Sequence, residues 1–257
     1  MLNYIKSELY RVFHSTGLYL FIGICSLLVL TMNLILWGVN LKTENFPYAT
    51  TEFSFSMLTC YMNSVLFLTA VFASIITSDE FKFRTINNSI AFGISRIKIF
   101  ISKLIVALLT SIPALIIIEG VLIGSAYLLL ENNSSTALTD VFTATAASIP
   151  SLIAGLTAAI SLYFLIGNMA ACIWSWIGTI VVFPIITSLL GIKFKFFEWL
   201  NSWLIYQLLA SPEIDENMNF IYTWSSSAGM QKCLTAGLLG TIVFFIIGIL
   251  GFRKKDM

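Results

Sequence analysis

Six long apolar runs constrain the fold of this chain more than any other feature. Each is long enough for a helix to cross the hydrocarbon core of a bilayer, which takes about 20 residues. A backbone in hydrocarbon must satisfy its own hydrogen bonds, and these runs lack the alternation of barrel strands. The sequence therefore predicts an all-α membrane protein, a single transmembrane domain over residues 1–257, with spans at 17–38, 55–77, 104–130, 149–166, 170–190 and 234–251.

Charged residues are divided unevenly between the two sides of this predicted bundle. The chain is 58% hydrophobic and 11% charged, and its net charge of +1 says little by itself. Ten of the fourteen Lys and Arg residues fall in the N-terminal segment, in the loop between the second and third spans, or in the C-terminal tail. By the positive-inside rule this side is cytoplasmic, and both termini lie there.

Two further segments are amphipathic and are not expected to span. Residues 1–15 have apolar side chains at helical spacing with Lys6, Glu8 and Arg11 elsewhere on the wheel, which predicts an interfacial helix along the inner leaflet. Residues 191–232, before the sixth span, are rich in aromatic residues. We expect an outer interfacial or re-entrant segment there, anchored at the headgroup level by Trp199, Trp203 and Tyr206.

Sequence motifs of catalysis and metal binding are missing from the chain. Without a G-x-x-x-x-G-K-[ST] loop it cannot hydrolyse ATP by the usual P-loop route, so nucleotide energy would have to come from another subunit. There is no H-E-x-x-H, no G-x-S-x-G and no C-x-x-C pair. We therefore expect no catalytic residue, metal or cofactor in this chain, and no nucleic-acid partner.

Glu119 is the one acidic residue well inside a predicted span. A charge at the centre of a bilayer costs at least about 2.5 to 3.5 kcal/mol, so Glu119 must face protein or water, or be protonated. One interpretation is a polar contact in a translocation path or at a subunit interface. The other is a neutral acid hydrogen-bonded to a neighbouring helix. A third use, in an intramembrane enzyme, lacks a second acid, histidine or metal set in the spans.

The loop between the second and third spans is the one long polar and basic interruption of the apolar pattern. It contains Asp79-Glu80, then Arg84-Thr85, a short apolar stretch around residues 90–94, Ser95-Arg96 and Lys103. The apolar residues Ile86, Ile90, Phe92 and Ile94 lie between its basic groups. Orientation alone requires only scattered positive charges, so this apolar pattern favours a short helix that binds another protein. The simpler alternative is a basic loop that contacts lipid phosphates.

This loop resembles that of type-2 ABC transporter permeases, in which an acidic residue, a Gly-Thr (here Arg84-Thr85) and a Ser-Arg followed by Lys surround a coupling helix. The resemblance extends to the N-terminal helix, the six spans and the basic tail. It implies a bacterial inner-membrane exporter subunit that works with a second permease chain, identical or sibling, and two ATPase subunits that bind ATP and Mg²⁺. It also implies a coupling helix within 79–98, with ATPase-coupling residues Glu80, Arg84, Ile90, Ile94, Ser95, Arg96 and Lys98.

The cargo is the least constrained part of this interpretation. The small size resembles permeases of peptide export and antimicrobial-peptide immunity, which implies an amphipathic peptide or hydrophobic compound. Lipids and polysaccharide precursors remain alternatives within the same family. A non-transporting membrane scaffold or sensor that recruits partners through the same loop is the alternative from another class.

Overall fold

In a computed structural model the chain is almost entirely helical, and the structure describes residues 2–43, 46–82, 85–132, 136–210, 213–214 and 220–254. The helices are α1 Leu2–Phe13, α2 Thr16–Asn40, α3 Thr51–Cys60, α4 Val65–Lys82, α5 Thr85–Ala91, α6 Arg96–Leu129, α7 Thr136–Ile166, α8 Met169–Ile177, α9 Phe183–Gly191, α10 Lys195–Asn201, α11 Ile205–Leu208 and α12 Ser227–Lys254. A two-residue antiparallel pair, β1 Glu213–Ile214 with β2 Phe220–Ile221, precedes α12.

Five helical segments in the described part of the chain are long and apolar enough to cross a membrane, and a bent pair makes a sixth candidate. The chain is therefore a multi-pass membrane protein. The bent pair corresponds to the second predicted span, where Thr51–Cys60 and Met62–Thr77 meet at 56° rather than forming one helix. A 3₁₀ turn, Met62–Ser64, lies at the bend, and the Asn63 amide donates to the carbonyl of Leu209 at 3.0 Å.

The helix of the fifth predicted span is also irregular. A π-helical turn, Gly178–Val182, joins α8 to α9, and Pro184 is the second residue of α9. Proline lacks an amide hydrogen and disturbs the preceding helical turn, so Pro184 accounts for the position of this irregularity. Before α8, the chain turns at Gly167, which has a φ of +78° that glycine adopts without strain. The fourth and fifth spans thus form a helical hairpin.

The third and fourth spans begin earlier in the chain than their apolar runs suggest. Helix α6 starts at Arg96 and has 34 residues, which at 1.5 Å per residue makes it about 51 Å long. This length exceeds the roughly 30 Å hydrocarbon core. The first turns of α6, including Lys98 and Lys103, therefore extend beyond the apolar layer as a rigid continuation of the span.

Helix α7 lies at the centre of the bundle and packs closely against α12. Small residues on α12 permit this approach: a Cβ on Gly237 would lie 2.6 Å from the backbone carbonyl carbon of Pro150. The Ser161 hydroxyl also donates to the Phe244 carbonyl at 2.7 Å. The glycines of the sixth span are therefore used within the chain. In contrast, α2 is mostly exposed at the edge of the bundle.

A buried polar group attaches α2 to its neighbours. The Asn33 amide nitrogen donates to the Ser125 hydroxyl at 2.7 Å and to the Leu122 carbonyl at 3.1 Å. The Ser54 hydroxyl donates to the Asn33 side-chain carbonyl at 2.7 Å. Since polar groups in an apolar layer need partners, this group determines how α2, α3 and α6 align.

Candidate functional site: the α5 turn, its ion cluster and an apolar groove

The predicted coupling segment contains a short helix, α5, that ends in a well-defined turn. The Gly93 amide donates to the Ile90 carbonyl at 2.9 Å, and the Ile94 amide donates to the Ser89 carbonyl at 3.2 Å. These two bonds form a Schellman motif, in which Gly93 takes the left-handed position with a φ of +84°. Gly93 therefore sets the sharp reversal between α5 and α6.

The apolar residues of this segment face in two directions. Ile86 is buried, and Ile90 and Ile94 pack against the hydrophobic core of the chain itself. Phe92, at the turn, is 87% exposed. The predicted apolar face is thus divided between the core of the chain and the surface, and its part in ATPase coupling stays a prediction. Ile90 and Ile94 hold α5 in place, and among the described residues of this segment Phe92 is the large apolar side chain that projects outward.

Beneath α5, four ionisable side chains form a buried ion cluster: Glu8, Arg11, Glu80 and Lys103. Lys103 is completely buried, and its ammonium contacts both Glu8, at 2.5 Å, and Glu80. Glu80 is also buried and accepts a hydrogen bond from Lys103, so its predicted part in ATPase coupling, which stays a prediction, would act through this ion cluster. The cluster joins α1, α4 and α6 at the end of the bundle that carries α5, which we term the α5 end.

Arg11 completes the cluster from its half-exposed edge. Its guanidinium donates to Glu8 at 2.9 Å and to the Ile76 carbonyl at 2.6 Å, and lies 3.5 Å from Glu80. Two carboxylates thus meet two cations, so the fully ionised cluster is neutral. This balance matters because a buried charge without a partner is strongly destabilising.

The two carboxyl groups of the cluster have different pKa values. Burial alone would raise the pKa of Glu8, but the Lys103 ammonium and the Arg11 guanidinium outweigh it and hold that pKa below its usual range. Burial raises the pKa of Glu80, and the neighbouring Glu8 carboxylate adds to this effect despite the attraction of Lys103. Glu8 is therefore the more firmly ionised partner of the shared ammonium.

The remaining predicted coupling residues lie around the turn. Ser95 and Lys98 are exposed. The Arg96 guanidinium donates to the carbonyls of Phe252 and Arg253 at 2.8 and 2.9 Å, and so binds the C-terminal end of α12. A cation at this position also complements the negative end of the helix dipole. Arg84 lies outside the described residues.

Glu119 lies between α6 and α7 and is buried. It accepts a hydrogen bond from the Thr145 hydroxyl at 2.9 Å. The sequence did not indicate a partner for Glu119, which is a residue of α6. The partner in the structure is Thr145 of α7, in agreement with the interpretation of an acid hydrogen-bonded to a neighbouring helix. Helices α6 and α7 belong to the same chain, so the contact itself involves no second subunit.

At the opposite end of the bundle, the three predicted anchor residues line an apolar groove. The groove has a volume of about 790 Å³ and lies between the π-helical turn with the start of α9, the α10–α11 segment, and α12. Trp199 is strongly exposed, Trp203 is partly exposed, and Tyr206 packs partly against the core. The rings therefore form one wall of a concavity as well as part of the surface.

Sequence reasoning missed two members of the ion cluster, Glu8 and Arg11, and gave Lys103 no partner. Their contacts join residues far apart in the chain, and a charge pattern along the sequence does not specify such pairs. A signal was nevertheless present in Lys103, a cation next to an apolar run, because a charge there requires a partner.

A family model matches most of the chain. Residues 42–253 match the family described as "Multidrug efflux system permease Rv1217c, C-terminal domain". No curated protein and no solved structure matches the chain. The matched range includes the α5 turn, Glu80, Lys103 and the apolar groove, whereas α1 precedes it.

Proposed function

Because the chain belongs to the family of the multidrug efflux system permease Rv1217c C-terminal domain, we propose that it is the membrane subunit of an ATP-driven exporter of hydrophobic compounds. In this proposal two separate ABC ATPase subunits bind ATP and Mg²⁺. A second permease chain, identical or sibling, completes the complex in the bacterial inner membrane, with lipid around it and both termini in the cytoplasm.

The exposed Phe92 at the α5 turn is the observation that carries this proposal. A phenylalanine that is 87% exposed on a polar loop gains most when a partner protein covers it. Lys98 and Ser95 flank it as exposed polar groups. An apolar ring surrounded by polar groups is the pattern of a small protein-binding surface, and here it forms the docking surface for an ATPase.

The surroundings of α5 suit the transmission of movement. The ion cluster connects the helices on either side of α5 to α1, and Arg96 connects the start of α6 to the end of α12. A force applied at Phe92 therefore reaches four helices through short polar contacts rather than through a loose loop. Rigid-body movement of packed helices is an established way of coupling distant sites.

The cargo in this proposal is a hydrophobic compound. The apolar groove at the opposite end of the bundle supports this class, because its described lining residues are predominantly apolar and aromatic. The amphipathic peptide expected from the sequence stays a prediction.

Co-purification tests the proposal directly. The tagged chain is extracted from its native cells in mild detergent, and associated ABC ATPase subunits are identified and quantified by mass spectrometry. We expect stoichiometric ATPase with the wild type and at least a fivefold loss with Phe92→Ala. Phe142→Ala, at an exposed phenylalanine on α7 away from the α5 end, is the matched control and should retain the ATPase.

Two results would refute this assignment. One is wild-type chain that purifies intact, as a single species, without any ATPase subunit. The other is equal ATPase recovery with Phe92→Ala and Phe142→Ala, since the docking surface would then lie elsewhere.

A further inference from the structure

The apolar groove opposite the α5 end has walls of distinct chemistry. Trp199, Trp203 and Tyr206 supply aromatic rings from the α10–α11 segment, and Phe183 and Phe244 supply rings from the start of α9 and from α12. Its volume of about 790 Å³ lies within the usual range of small-molecule sites, roughly 300–1,000 Å³. The groove therefore has the size and lining of a binding site for an aromatic molecule.

The π-helical turn at Gly178–Val182 forms part of this site. Such turns are rare and occur often at functional sites, because the extra residue in the turn widens the helix locally. Gly178, Thr179 and Ile180 from this turn all line the groove, and the Thr179 hydroxyl is already bonded to backbone carbonyls of its own helix. The irregularity thus contributes a wall that requires no polar partner from a ligand.

The charges around the groove select among aromatic molecules. None of the described residues that line it carries a charged group. The neighbouring polar cavity is lined by both Lys232 and Glu198, and the Lys232 ammonium lies 5.4 Å from the centre of the Trp203 ring. That ring therefore already has a cation beside it, and the groove's own lining offers a second cation no carboxylate to pair with. We propose that this groove binds neutral, ring-containing lipophiles and discriminates against lipophilic cations.

This inference rests on the proposed function and names the class of cargo that the exporter takes. A lipid acyl chain is the competing occupant, but it would gain little here, because it would exchange one apolar surrounding for another. A molecule with aromatic rings gains in addition the preferred ring–ring contacts with the tryptophan and phenylalanine side chains. The groove therefore favours an aromatic cargo molecule over a lipid acyl chain.

A matched pair of fluorescent probes tests the proposal in lipid nanodiscs that contain the full chain. Diphenylhexatriene is neutral, and its trimethylammonium derivative has the same rings with one positive charge. Emission is titrated against that of protein-free nanodiscs, so that simple partition into lipid is subtracted. We expect saturable binding of one diphenylhexatriene per chain and at least tenfold weaker binding of the cationic derivative.

Neighbouring residues of α12 provide matched variants. Val243 and Ile242 are both about half exposed, but only Val243 lines the groove. We expect Val243→Trp to fill the groove and weaken diphenylhexatriene binding at least tenfold, while Ile242→Trp binds as the wild type. Leu239→Ala, which removes a groove contact, should also weaken binding, and Leu238→Ala, on the adjacent position outside the groove, should not. This second pair decides the question if a tryptophan variant does not assemble.

Three results would overturn the inference: emission that never saturates, equal affinity of the two probes, or equal binding within both variant pairs. An acyl chain in the groove would give the first of these. In that case phospholipids with brominated chains would quench tryptophan emission to the same extent with and without diphenylhexatriene. None of these measurements requires an ATPase or transport, so a failure here is distinct from a failure of the proposed function.

Discussion

Replacing Lys103 by methionine removes the shared cation of the ion cluster and keeps a similar straight side chain. Lys103 is fully buried and is bonded to two carboxylates, at 2.5 Å in the case of Glu8. Its loss leaves Glu8 and Glu80 with Arg11 alone, which is half-exposed and 3.5 Å from Glu80. Removing one partner of a buried ion pair costs about 3–5 kcal/mol, so we expect Lys103→Met to lower the free energy of unfolding by that amount.

The double variant Glu80→Gln/Lys103→Met separates charge from packing. It leaves Glu8 paired with Arg11 at 2.9 Å and removes the carboxylate that would otherwise stay uncompensated. A buried polar group without a partner costs about 1–3 kcal/mol, and more if it is charged, so we expect the double variant to regain about 2 kcal/mol relative to Lys103→Met. Lys98→Met, at an exposed lysine on the same helix, is the control and should change stability by about 0.5 kcal/mol or less.

Unfolding in mixed micelles, titrated with dodecyl sulfate and followed by circular dichroism, measures these differences. The reasoning is refuted if Lys103→Met and Lys98→Met are equally stable. It is also refuted if the double variant is no more stable than Lys103→Met, because the cost would then come from packing rather than from an unpaired carboxylate.

Three further predictions concern pH, packing and buried polarity. Because the pKa of Glu8 is depressed, its stabilisation is complete above its usual value of 4.5 and is lost as the pH falls through the folded-state pKa; acid titration should therefore destabilise the wild type more steeply than Glu8→Gln. The pKa of Glu80 is raised, so folding disfavours its ionised form and its charge lowers stability at neutral pH. At pH 7, Glu80→Gln should therefore be less destabilising than Glu8→Gln in the same micelle assay. Gly237→Ala should cost about 1–3 kcal/mol from overpacking against α7, whereas Gly124→Ala, which has open space around it, should be neutral or slightly stabilising. Asn33→Ala should cost about 1–3 kcal/mol, because it removes the acceptor of the buried Ser54 hydroxyl and the donor to Ser125, and thermal unfolding would measure the difference.

Apolar length and charge distribution predicted much of this architecture. The helical bundle, the N-terminal helix α1 and the short helix before Ser95 follow from periodicity and from the runs of apolar residues, whereas the interfacial position of α1 stays a prediction. The clustering of Trp199 and Trp203 at one end was also expected, since amphipathic rings suit an interface. Their role as walls of a groove depends on α9 and α12, which approach them only through the fold.

The features that sequence did not predict depend on contacts between distant segments. The second span is broken at Tyr61. Close to the break, the Asn63 amide donates to the carbonyl of Leu209, just after α11, and no local sequence pattern indicates that partner. The inward orientation of Ile90 likewise depends on the core beneath α5. A periodic apolar pattern shows that one face of a helix is buried. It does not show whether that face is buried by residues of the same chain or by a partner protein.

The central claim is that a separate ATPase docks at the α5 turn and drives export by moving the helices attached to it. Inside-out membrane vesicles that contain the chain and its ATPase, supplied with diphenylhexatriene, test it most directly. The account predicts probe movement that needs ATP, stops with vanadate, persists with a protonophore, and is lost in Phe92→Ala but kept in Phe142→Ala. Movement that continues without ATP and collapses with the protonophore, or that is unchanged in Phe92→Ala, would contradict it.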